Sequence, residues 1–273
     1  AGCLSLSSIV VGDEMERVVT SSVRTLVFCI STAAIKTRIH FFPTASTGGG
    51  HHAVSCQLTL FGKGVETRSI VLDGGRVNQP DGLRLEDAFP ALRGDLSGVF
   101  GLEIQLASPQ GRVNLMGSQS AVEFVSPQFS MLYGGAPFAP MKSEDQGLGS
   151  TSIAASLQEP RKRALSAVAM QDSFLTSSLV IINAGKESLR PEMMRRGGEA
   201  AKPLHVGTIS PESVIEMPLE EALFKESAPH ECLWGASYAE KISLSESARS
   251  EDSSYYLLYR DPATKRPISV CSI

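Results

Sequence analysis

Leu85-Glu86-Asp87-Ala88-Phe89 and Leu219-Glu220-Glu221-Ala222-Leu223 carry one five-residue pattern written twice, 134 positions apart. Val99-Phe100-Gly101 and Leu233-Trp234-Gly235 repeat at the same offset. Val122-Glu123-Phe124-Val125-Ser126-Pro127 stands opposite Leu257-Leu258-Tyr259-Arg260-Asp261-Pro262 at 135, and Thr20-Ser21-Ser22 opposite Thr176-Ser177-Ser178 at 156. Four matches in one order along the chain indicate an internal duplication. The change of offset places about 22 extra residues in the first copy, between Thr20 and Leu85, with Thr44 to His52 as a natural part of that insertion.

Within each copy the local pattern is β. Val54, Cys56, Leu58 and Leu60 fall on one face of an extended segment and Ser55, Gln57 and Thr59 on the other. That period of two marks a half-buried strand. Leu102, Ile104 and Leu106 alternate in the same way, as do Ile35, Ile39 and Phe41. Strands are also predicted over 177–183, 204–209, 254–260 and 267–273. Gly/Asp/Pro turn signals recur between them, as at Asp73-Gly74-Gly75 and Pro80-Asp81-Gly82. Helix signals are thin: short segments at Leu85–Leu92 and 219–225, and a further candidate at Leu165–Phe174.

The chain of 273 residues is 42% hydrophobic and 20% charged, which suffices for sizeable cores. Its net charge of −4 argues against nucleic-acid binding as the main task. No apolar run reaches the ~18 residues of a transmembrane helix. From Gly134 to about Pro160 the sequence is rich in Gly, Pro, Ser and Ala and reads as a linker. The expected organisation is all-β: two tandem antiparallel β-sandwich modules, 1–135 and 164–273, joined by a linker at 136–163.

The strand, corner and return-strand pattern over Thr20–Pro127 and Thr176–Ile273 resembles tandem immunoglobulin-like modules of bacterial surface proteins. The antibody Cys…Trp…Cys arrangement is absent from the pattern, and no ligand carries over from the resemblance. Ala1-Gly2-Cys3 resembles the end of a bacterial lipoprotein signal, but lacks the apolar stretch before it, so chance is the reading adopted. The five cysteines include no C-x-x-C pair. They read as buried free thiols, with a Cys29–Cys56 or Cys232–Cys271 disulfide as the alternative.

His51 and His52 follow Gly48-Gly49-Gly50, and His40 lies on the preceding strand. These are the candidate metal ligands, against the plainer reading of an exposed loop, since neighbours on an extended chain point apart. No G-x-S-x-G elbow, P-loop or G-x-G-x-x-G opens a catalytic or nucleotide site. The acids Glu86-Asp87 and Glu220-Glu221 repeat with their modules, as structural corners do. No catalytic residue and no cofactor is therefore expected. Tyr255, Tyr256 and Tyr259 form the densest aromatic cluster. Either both faces of their strand are core, or one is a surface for a partner. Arg260, Lys265 and Arg266 mark the polar loop that follows. These six are the candidate partner-binding residues.

The expected function is non-enzymatic: a structural or binding component docking to other proteins in a larger assembly, at the cell envelope or surface. The alternatives are a carbohydrate-binding or carbohydrate-active surface protein, which would expose an aromatic platform, and a metal-dependent enzyme using the His51/His52 loop. Extracytoplasmic placement, with peripheral or lipid-anchored membrane association open, completes the expectation.

Overall fold

The computed structural model describes residues 9–11, 14–16, 21–41, 45–47, 50–51, 55–72, 77, 79–92, 97–108, 112–113, 120–134, 137–138, 166–197, 200–219, 230–232, 235–244 and 252–273. Most of the described chain is β-strand in antiparallel sheets. Described helix is one turn at Leu85–Ala88, a 3₁₀ turn at Pro90–Leu92 and the single residue Val77.

In the first half, strands β3 (Ser21–Ser31), β7 (Ser55–Gly62), β8 (Val65–Leu72), β10 (Gly98–Ser108) and β14 (Pro137–Phe138) form a sheet in the order β14-β3-β10-β7-β8. Strands β4 (Lys36–Phe41), β9 (Leu83–Arg84), β12 (Ser120–Ser126) and β13 (Phe129–Gly134) form a second, in the order β13-β12-β4-β9. In the second half, β15 (Ser166–Gln171), β17 (Glu192–Gly197), β18 (Ala200–His205) and β21 (Gly235–Leu244) run β15-β21-β17-β18, with β20 (His230–Cys232) also on β21. Strands β16 (Thr176–Asn183), β19 (Ser213–Pro218), β22 (Ser253–Arg260) and β23 (Pro267–Ser272) run β19-β16-β22-β23. The short β1 (Ile9–Val11) pairs with β2 (Glu14–Glu16), and β5 (Ala45–Thr47) lies between β6 (Gly50–His51) and β11 (Arg112–Val113).

The chain passes from one sheet to the next through two corners that share a set of hydrogen bonds. At the first, Thr32 Oγ1 accepts from the N–H groups of Ala34 and Ile35, and Thr37 Oγ1 accepts from Ile30 N at 3.1 Å while donating to Ile30 O at 2.6 Å. At the second, Asp172 Oδ1 accepts from Phe174 N and Leu175 N, and Ser177 Oγ accepts from Met170 N at 2.8 Å while donating to Met170 O at 2.6 Å. A side-chain oxygen closes each turn and a hydroxyl seven residues along the chain takes the place of a neighbouring strand. Two later turns correspond as well: Ser126 Oγ accepts from Gln128 N and Phe129 N, and Asp261 Oδ1 from Ala263 N and Thr264 N.

The halves pack face to face rather than as separate beads. Strand β16 is buried along its whole length. Its apolar run Leu179-Val180-Ile181-Ile182 splits by alternation. Val180 and Ile182 join Tyr256, Leu258 and Val214 in the cluster built on β3, β7, β10 and β12. Leu179 and Ile181 join Tyr255 and Leu257 in a second cluster with Ala167, Ala169, Met193 and Ile242. One cluster is thus shared by the two halves, because a sheet apolar on both faces must be covered on both. The junction also carries ions: Arg24 reaches Glu103 at 2.7 Å and Asp252 at 2.6 Å.

Several local expectations change. Residues 166–171 form strand β15, not a helix: Ala167 and Ala169 face the core while Val168 and Met170 face out, a period of two. Beyond β18, Ile209 makes only an isolated bridge to Leu189. Part of the Thr44–His52 segment is a β5–β6 pair, with Ser46 opposite His51, rather than loop. Pro137 and Phe138 of the expected linker pair with Thr25 and Arg24, and the rest of it from 139 lies outside the described residues. The 156 match joins the start of β3, which pairs β10, to the start of β16, which pairs β19 and β22, so the inferred insertion loses its basis. Hydroxyl triplets open strands generally and mark no particular one.

Cys29 and Cys56 are free and lie on strands that flank β10 on opposite sides, Cys29 facing Phe100 and Cys56 facing Leu106. A disulfide between them is thereby excluded. Burial pushes the Cys56 thiol up to about 12 and Cys29 higher still, so both are inert.

Candidate functional site

Arg260 ends β22, and its guanidinium grips Glu216 of β19 through two 2.8 Å hydrogen bonds across the intervening β16. Its third arm donates to Lys265 O at 2.7 Å. The following loop is closed from within: Lys265 N donates to Asp261 O, Asp261 N donates to Arg266 O, and the Asp261 carboxylate holds two further N–H groups. Hydrogen bonds from the Thr264 and Ala263 backbone hold the Asp261 carboxyl below its ordinary range. Lys265 adopts φ of 58°, which this bonding network sustains.

Arg266 leaves that loop toward the first half. It donates to the side-chain oxygen of Gln128 and stands 6.0 Å from the Phe129 ring centre, at cation–π range. Between these loops lies a groove of about 680 Å³, with Ile30, Ile35, Val99 and Phe129 among its apolar lining and Arg260, Lys265 and Arg266 along its second-half wall. Two of its hydroxyls, Thr32 and Ser126, are occupied as turn acceptors. The groove thus joins an apolar floor to an edge formed by Lys265, Arg266 and the Arg260–Glu216 pair.

Three of the six expected partner-binding residues meet here, and three do not. Tyr255 and Tyr256 are 4% and 1% exposed. Tyr256 donates its hydroxyl to Leu26 O, and Tyr259, half-buried, donates to Val168 O at 2.5 Å. For Tyr255 and Tyr256 a docking role is corrected, since both are core, one on each face of β22; the Tyr256 and Tyr259 phenols each satisfy a backbone carbonyl. Neither Tyr255 nor Tyr256 supplies the exposed platform of the carbohydrate reading, and Trp234 lies outside the described residues.

His40 faces Glu123 at 2.8 Å, beside Arg38. Partial burial works against the Glu123 charge, yet hydrogen bonds from Ser130 and His40 outweigh it and hold that carboxyl low. The side chains of His51 and His52 lie outside the described residues, and no cluster of three metal-ligating side chains forms among those described.

No protein-family model, curated protein or solved structure matches this chain. Its site is read from its own residues. Sequence reasoning found Arg260, Lys265 and Arg266 as a charged loop. It missed Glu216, Gln128 and Phe129, which are distant in sequence; the shared turn chemistry of Ser126 and Asp261 was the available signal.

Proposed function

We propose that this chain is a non-enzymatic structural or binding component that docks a protein partner in the groove edged by Arg260, Lys265 and Arg266, within a larger assembly at the cell envelope or surface. The observation that carries this reading is the internally hydrogen-bonded loop 261–266, which sets Lys265 and Arg266 next to Arg260 beside an apolar floor. A preorganised loop keeps the entropic cost of association low, and Arg beside an aromatic ring is a frequent anchor of interfaces.

We infer also that the halves are tandem immunoglobulin-like sandwiches descended from one duplicated unit. The matched corners at Thr32 and Asp172, the matched turns at Ser126 and Asp261, and the order β13-β12-β4-β9 beside β23-β22-β16-β19 support this.

The test is purification of the native protein beside Lys265→Glu and Arg266→Glu variants of unchanged circular dichroism. A stoichiometric protein partner held by the wild type and lost from both variants is expected. A partner retained equally by all three, or none at all, would refute the groove as its seat.

A further inference from the structure

We propose that the free edge of β8 pairs with the same edge of a second copy of this chain, forming an antiparallel two-fold dimer centred on Thr67. Among the described residues β8 has one strand neighbour, β7, and its other edge is open. An open edge presents a row of backbone donors and acceptors to any extended chain. From Val65 to Leu72 this edge carries neither Pro nor Lys, two of the common deterrents to pairing.

The sequence of the edge selects the occupant and its register. In a two-fold antiparallel pair, opposite residues turn their backbone groups alike, both toward the partner strand or both away, so they sit an even number of positions apart. Centring the axis on Arg68 sets Arg against Arg. Centring it on Ser69 sets Arg68 against Ile70 and Glu66 against Leu72. Only the Thr67 centre, among these, sets Glu66 opposite Arg68 of the second copy, twice, with Val65 opposite Ser69. Glu66 and Arg68 lie on one face of β8 and are exposed, at 81% and 53% of their side chains. Within the chain they meet each other only at 3.4 Å. An exposed pair of that length is weak, so both charges are available to a better-placed partner.

The axis has a second support beside it. Thr67 Oγ1 donates to Glu212 Oε2 at 2.9 Å, and Lys186 pairs with the same carboxylate. The turn before β19 therefore flanks the centre of the proposed interface and steadies β8 from its other face. Directly opposed unlike charges favour pairing across strands, and like charges oppose it.

Sedimentation equilibrium from micromolar to millimolar protein tests this with charge reversals. Wild type is expected to dimerise. Glu66→Arg and Arg68→Glu, each placing like charges opposite twice, should each weaken the dimer about ten-fold. The Glu66→Arg/Arg68→Glu double variant should recover it. A mixture of the two single variants should form a heterodimer, since one chain then carries two cations and the other two anions. Far-UV circular dichroism and melting of each single variant show that it is folded, and heterodimer formation reports this independently. A monomeric wild type at millimolar concentration, or a dimer insensitive to every reversal, would overturn the proposal.

Discussion

Strand β15 ends its sheet, and β3 lacks a strand neighbour on one flank past its short pairing with β14 at Arg24 and Thr25; the two solve the same problem at different depths. Each turns alternate backbone groups away from its sheet neighbour, β10 or β21. On β3, Leu26 O receives the Tyr256 hydroxyl, Phe28 N and O share the Tyr133 hydroxyl, and Ile30 N and O share Thr37. On β15, Val168 O receives Tyr259, and Met170 N and O share Ser177. All three β3 acceptors are buried, and burial without a partner is costly for a backbone group. Val168 and Met170 are exposed, at 44% and 36%, so water stands ready to replace a lost hydroxyl there. Depth, rather than bond count, sets what each hydroxyl contributes.

The largest difference should appear on truncating side chains at matching places. Phe28 packs against Phe124, Tyr133 and Tyr256, with ring centres 5.1 to 5.6 Å away. Phe28→Ala should cost about 3–5 kcal/mol in urea unfolding. Val168→Ala should stay within about 0.5 kcal/mol. Equal losses would end the comparison.

Removing hydroxyls alone sharpens it. Tyr133→Phe leaves both polar groups of Phe28 unpaired in the core, so about 1–3 kcal/mol should be lost. Tyr259→Phe should lose less than about 1 kcal/mol, since the Val168 carbonyl can turn to water. The corner hydroxyls extend the comparison, because Thr37 serves the buried Ile30 and Ser177 the exposed Met170. Thr37→Val should cost about 1–2 kcal/mol and Ser177→Ala less, and equal values would show that depth does not decide.

The smallest effect concerns acid. Asp261 has a folded pKa below its unfolded value through the Thr264 and Ala263 N–H groups. Its contribution is therefore present above the unfolded pKa of about 3.9 and is lost as pH falls through the lower folded value. Ser126 does the same work without titrating. A carboxylate NMR titration should place Asp261 below the ordinary range, and Asp261→Ser should flatten the acid limb of stability. An ordinary Asp261 titration would contradict the turn geometry.

What the sequence disclosed follows the same physics. Period-two alternation located β4, β7 and β10, because each has one apolar and one polar face. The Leu85/Leu219 match corresponds to matching sheet places: Leu85 follows β9 and Leu219 follows β19, and both are fully buried. The corners escaped notice because they conserve chemistry rather than identity. Thr32 and Asp172 share an acceptor oxygen, and Thr37 and Ser177 a hydroxyl, within segments otherwise unlike. The tyrosines left two readings open because alternation on β22 does not say whether either face is outer; a sheet lying between two others has none, and Tyr255 and Tyr256 are both core. The groove needed the loop at Asp261 and the turn at Ser126 together, and no local pattern links them.

Phenols and threonine seal the flank of β3 with groups that a foreign polypeptide cannot imitate. A chain arriving in extended form would have to evict Tyr133, Tyr256 and Thr37 at once before gaining its first ladder rung. Self-association is thereby steered away from that margin and left to an unsealed one.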